Sequence, residues 1–96
     1  MITPYIINAT TWTAISTVGQ NGSCWIDEDA NDQAGKADCR ISHSESGDPS
    51  LATSKRVFTP IGNTDVLPFT ADSATDIYYA RCINEGDSVT LFVDVV

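Results

Sequence analysis

The chain has 96 residues, 42% of them hydrophobic, and a formal net charge of −8 from 13 acidic and 5 basic side chains. That length bounds one domain with a modest core, and that apolar fraction excludes a disordered chain. The acidic balance disfavours nucleic acid and anionic membrane surfaces, both of which select clustered Lys and Arg.

In chain order, Pro4 to Asn8 reads as a first strand, placed at a sheet edge because Pro4 cannot donate to a ladder. Thr11 to Ile15 is a second, and Gly19-Gln20-Asn21-Gly22 a turn cluster. Ser23 to Ile26 is a third strand, followed by the polar stretch Asp27 to Lys36. From Ala37 to His43 apolar and polar residues alternate, the signature of a half-buried strand. Ser44 to Ser54 is a long Gly-, Pro- and Ser-containing connection, and Lys55 to Thr59 a strand closed by Pro60. Val66 to Thr70 is a short strand with Pro68 at an edge or a bulge.

The last quarter carries the strongest pattern. Ile77 to Ile83 and Ser88 to Val96 read as the arms of one β-hairpin around Asn84-Glu85-Gly86-Asp87. Val89, Leu91, Val93 and Val95 share one face of the second arm, which turns Phe92 outward. No segment shows a helical apolar stripe longer than one turn. The reading is therefore all-β: a single antiparallel β-sandwich or jelly-roll-like domain over residues 1–96, of seven to eight short strands. Residues 1–5 are read as an extended N-terminal arm. The expected core is Ile6, Trp12 or Ile15, Ile26, Ile41, Val57, Leu67, Ala80, Cys82, Leu91 and Val93.

Targeting and chemistry signals are sparse. The first residues lack a basic region and a long apolar run, so no signal peptide is predicted, and no stretch approaches the ~20 apolar residues of a membrane span. Cys24, Cys39 and Cys82 make an odd count, which suits reduced thiols acting as small hydrophobes; a Cys24–Cys39 bridge is the alternative if their strands pair. Asp27, Asp29, Asn31 and Asp38 stand at spacings that resemble a calcium loop, but Asp32 occupies the position that calls for Gly, so no metal is assigned. His43 is the single histidine. On one strand its side chain lies ~13 Å from that of Cys39, too far to share a zinc ion. The run His43-Ser44-Glu45 supplies triad residue types as sequence neighbours, not from converging elements. The chain is read as a non-enzyme without cofactor.

The outward half of the C-terminal arms offers a different use. Ile77, Tyr79, Arg81 and Phe92, with Tyr5 from the N-terminal arm, form an expected protein–protein interface, because exposed aromatics and Arg are enriched at interface centres. The competing reading is that another part of the same chain covers that face.

Trp12, the Gly19/Gly22 turn, the strand with Cys39 and Ile41, the Gly47/Pro49 loop, Tyr79-Ala80-Arg81 and the Leu91–Val95 strand follow one another in an order that resembles small β-sandwich modules of tailed-bacteriophage virions. The capsid decoration, or cement, proteins are the closest type. That resemblance implies a structural protein made in the bacterial cytoplasm and added to the virion surface. It implies binding to the major capsid protein or other virion proteins, as a homo-oligomer such as a trimer, with no contact to nucleic acid or membrane. The rival class is a tail-associated or secreted carbohydrate-binding β-sandwich, calcium-dependent through the acidic stretch.

Overall fold

The structure is a computed structural model and describes residues 2–26, 39–45, 47–49, 56–58 and 66–96. Among these residues there are eight strands and no helix: β1 (Ile2–Asn8), β2 (Thr13–Ala14), β3 (Gly22–Ile26), β4 (Cys39–Ser44), β5 (Arg56–Phe58), β6 (Leu67–Phe69), β7 (Ile77–Cys82) and β8 (Ser88–Val95). They form two four-stranded antiparallel sheets, ordered β1-β8-β3-β6 and β2-β7-β4-β5. The pairings β1·β8, β2·β7, β3·β6 and β4·β5 are those of one long hairpin folded from its middle. Two further ladders, β3·β8 and β4·β7, stitch the rolled hairpin into two sheets. This is the connectivity of a jelly roll.

Each prolines' place follows from hydrogen bonding. Pro4 lies in β1 and Pro68 in β6, the two edges of the first sheet, where a missing N–H can face away from the ladder. Gly22 begins β3 because the backbone there is crowded. A Cβ at that position would stand 2.5 Å from the Asp94 carbonyl oxygen and 2.8 Å from the Phe69 ring.

The core lies between the sheets. Ile7, Cys24, Ile26, Phe69, Val89, Leu91 and Val93 come from one side, and Cys39, Ile41, Tyr78, Ala80 and Cys82 from the other, with Ile15 beside β2. Side chains on a strand alternate between faces, so each of these residues sets the orientation of its neighbours.

Several expectations change. The two C-terminal arms are not a hairpin. β7 belongs to one sheet and β8 to the other, and the Asn84–Asp87 turn, with Asp87 N–H donating to the Asn84 carbonyl at 3.1 Å, carries the chain across the core. Both arms have one apolar face, and those faces oppose each other instead of lying side by side. The N-terminal arm is likewise a regular strand: β1 pairs along its length with β8, from Ile2↔Asp94 to Asn8↔Ser88. In β1 the inward residue is Ile7, opposite Val89, and Ile6 is 73% exposed. The expected core residue Ile6 therefore faces solvent and its neighbour Ile7 takes the inward place, because pairing with β8 sets the phase of the strand. Ile15 is buried while Trp12 is half-buried. Leu67 packs partly buried against the core. The side chain of Val57 lies outside the described ones.

The three cysteines are buried thiols, none of them in a disulfide. Cys24 is in the first sheet and Cys39 in the second, so a bridge between them as paired neighbours does not arise. Cys39 instead stands opposite Cys82 in the β4·β7 ladder.

Candidate functional site

The outward face of the β1-β8-β3-β6 sheet is built by the same alternation that fills the core. With Val89, Leu91 and Val93 inward, Thr90, Phe92 and Asp94 point out. Register then aligns Pro4 with Phe92 on one side and Trp25 with Phe92 on the other, so Pro4, Phe92 and Trp25 form one row across three strands. The Trp25 and Phe92 rings stack, with centroids 6.3 Å apart and planes inclined by 18°. Ile2 and Ile6 flank Pro4 along β1 on the same side, and both are exposed. Pro68 continues the face on β6. An outward sheet face of this kind is normally polar; here its centre is apolar and aromatic.

The five residues expected at an interface are dispersed by the structure. Phe92 is on this face. Tyr5 is not: it lies opposite Leu91 and packs against the core, in the wall of a cleft of about 390 Å³ between the sheets. Tyr79 is 8% exposed and so offers little surface to a partner. Arg81 is half-buried and its Nε donates to the Ala9 carbonyl at 3.0 Å, so it fastens the β1–β2 corner. Ile77 is half-buried at the start of β7. The residues that join Phe92 are Trp25, Pro4, Ile2 and Ile6. The sequence alone does not point to them, because Ile6-Ile7 and Cys24-Trp25-Ile26 are unbroken apolar runs that fix no phase, and it takes the strand order to make them a surface.

A second constellation lies at the far end of the sandwich, where β4 ends beside the start of β7. The β4·β7 register places His43 opposite Tyr78, and the two rings lie 5.4 Å apart. Asp76 immediately precedes β7 and is 1% exposed. Its carboxylate accepts from His43 Nδ1 at 2.9 Å and from the Asp72 N–H at 3.1 Å. Asp72, exposed on the β6–β7 turn, brings Oδ2 to 3.3 Å from His43 Nε2. Glu45 lines the same cleft, with Oε1 accepting from the Ser73 and Thr75 hydroxyls.

The turn that carries the two aspartates is held from three directions. Gly19 N–H donates to the Asp76 carbonyl at 2.8 Å, Ala71 N–H to Asn21 Oδ1 at 2.9 Å, and Tyr78 O–H to the Thr70 carbonyl at 2.7 Å. Gly19 adopts a φ of 68° with the Ala74 backbone against it, a place where a side chain is strained twice over. Both nitrogens of the imidazole face carboxylate oxygens, so the ring is directed at charge and not at a nucleophilic hydroxyl.

The pKa of Cys82 is lowered from its ordinary value, first by the hydrogen bond from Cys39, with burial and the Asp87 charge opposing. The acidic positions Asp27, Asp29, Asn31 and Asp38 lie outside the described residues. Comparison with known proteins finds no family model, no curated protein and no solved structure that matches the chain.

Proposed function

We propose that this chain is a non-enzymatic structural protein of a bacteriophage virion, which decorates and stabilises the assembled head by binding its outer surface. The observation that carries the reading is the aromatic row Pro4–Phe92–Trp25 on the outward face of the first sheet, flanked by exposed Ile2 and Ile6. Burying the remaining surface of these side chains against a partner contributes roughly 25 cal/mol per Å² of apolar area. Tryptophan at the centre of such a patch is the residue type on which binding energy concentrates. The jelly roll adds support by analogy alone, since it is a scaffold used in viral capsids and in lectins. The net charge of −8 fits a shell protein that does not compete for the packaged genome. The major capsid protein is the partner in this reading, the protein assembles with its own copies, as a trimer, and its location is the virion surface.

One observation favours the carbohydrate-binding alternative: a stacked Trp25–Phe92 pair is also a platform for a sugar ring. Sedimentation separates the two. Purified protein mixed with undecorated heads should pellet with them, and soluble oligosaccharides should not displace it. Protein that stays in the supernatant refutes the decoration reading, and displacement by a sugar favours the alternative.

A further inference from the structure

We propose that His43 and Asp72 form a binding site for a divalent transition-metal ion, zinc above all, with His43 Nε2 and the Asp72 carboxylate as ligands and Asp76 as the residue that orients the ring. The site is separate from the aromatic face, and the proposal does not depend on what that face binds.

The two sides of the imidazole differ in geometry. On the Nδ1 side the geometry is that of a close hydrogen bond, 2.9 Å to Asp76 Oδ2 and 3.0 Å to Oδ1, with an acceptor that is buried and fixed by the Asp72 N–H. This is how carboxylates hold metal-ligating histidines: the outer acceptor fixes the tautomer and leaves Nε2 with a free lone pair. On the Nε2 side Asp72 Oδ2 stands at 3.3 Å. A charge-assisted N–H···O bond closes to about 2.7–2.9 Å. Two ligand atoms at about 2.0–2.1 Å from a tetrahedral zinc stand about 3.3–3.4 Å apart, which is the separation found.

Charge and access agree. Asp72 and Asp76 bring two carboxylates to one imidazole and Glu45 lines the same cleft, so a dication offsets the excess negative charge. The ligand atoms of His43, Asp72 and Asp76 lie within 4.8 Å of one another, and a cleft of about 370 Å³ lined by these residues with Ser44, Glu45 and Ser73 opens onto them. Two protein ligands leave the remaining coordination positions to solvent, which the cleft admits. Imidazole selects zinc and its first-row neighbours over calcium, which takes oxygen ligands in larger number. The ion would tie the β6–β7 turn to the end of β4 at a corner where hydrogen bonds already hold the turn in place.

The test uses the fact that the chain has one histidine. Zinc titrated into the full-length protein should give one binding event in the micromolar range by calorimetry. Long-range 1H–15N spectra should show the His43 Nε2 resonance moving while Nδ1 stays protonated. Asp76→Asn should weaken zinc binding by about 10–100-fold, the usual effect of removing an outer-shell carboxylate. Asp72→Asn, at a side chain 70% exposed, should weaken it at least as much. His43→Gln should abolish the event. Calcium should leave the His43 nitrogens unmoved. Zinc binding as tightly to His43→Gln or to Asp72→Asn as to the wild type, or saturating zinc that leaves Nε2 unshifted, would overturn the proposal. A shift with calcium equal to that with zinc would overturn the assignment of the ion class.

Discussion

Leu91 and Phe92 are chain neighbours that the fold sends in opposite directions, and replacing each by alanine measures that difference. Leu91 is 0% exposed on the inner strand β8, between Tyr5 on β1 and Ile26 on β3. Truncating a buried leucine removes its contacts and leaves a cavity, at a cost of about 2–5 kcal/mol. Against the roughly 5–14 kcal/mol that 96 residues hold in total, that is a large fraction. The melting temperature should fall by about 8 °C or more. Phe92 is half-buried, and its identified partner is the Trp25 ring at 6.3 Å. An aromatic pair of this kind contributes about 0.5–1.5 kcal/mol beyond area burial, so Phe92→Ala should cost about 1–2 kcal/mol. Urea unfolding followed by far-ultraviolet circular dichroism avoids the change in Trp25 fluorescence that the Phe92 variant itself produces. If Phe92→Ala costs as much as Leu91→Ala, the two faces of β8 have been assigned the wrong way round and the aromatic row is not a free surface.

Three further outcomes follow from single contacts. Gly22→Ala should destabilise by about 1–3 kcal/mol, because the new methyl meets the Asp94 carbonyl and the Phe69 ring; an unchanged urea midpoint would show that the strand can shift to admit it. Tyr78→Phe removes the 2.7 Å bond to the Thr70 carbonyl and should cost about 0.5–1.5 kcal/mol, while speeding amide exchange in the Asp72–Asp76 turn; exchange unchanged there would mean the bond does not restrain the turn. Cys82 is lowered in the folded state by its bond from Cys39, so the folded protein releases that proton at lower pH than the unfolded chain does. Its contribution is complete above the ordinary thiol value near 9.0 and is lost as pH falls through the folded value. The stability gap between wild type and Cys82→Ala should therefore widen from neutral to alkaline pH, and a gap that narrows would contradict the assigned direction.

How much was legible depended on range. Local pattern set the strand class, the inward Val89, Leu91 and Val93, and the edge position of Pro4, with Pro68 narrowed to an edge or a bulge, because alternation and the missing proline N–H act within one strand. Pairing was not legible. Two apolar arms joined by a short turn fit a hairpin within one sheet and an arch between two sheets equally well, and cross-chain partners such as Cys39↔Cys82 and Ile7↔Val89 decide between them. The same gap scattered the expected interface. Tyr79 and Arg81 occupy the outward phase of β7, yet that phase is covered at Tyr79 and tied to Ala9 at Arg81. The His43 cluster joins residues 33 positions apart, and nothing near His43 in the sequence points to Asp76. Only the rolled hairpin, which lays the end of β4 beside the start of β7, brings them together.

The decoration reading rests on one surface meeting one partner, and electron cryomicroscopy of heads incubated with the protein tests that contact directly. Added density is expected on the outside of the capsid, into which the jelly roll fits with Trp25, Phe92 and Pro4 against the shell, and Phe92→Ser should abolish it. Heads that gain no density, or density in which the β1-β8-β3-β6 sheet faces solvent, would contradict the decoration reading.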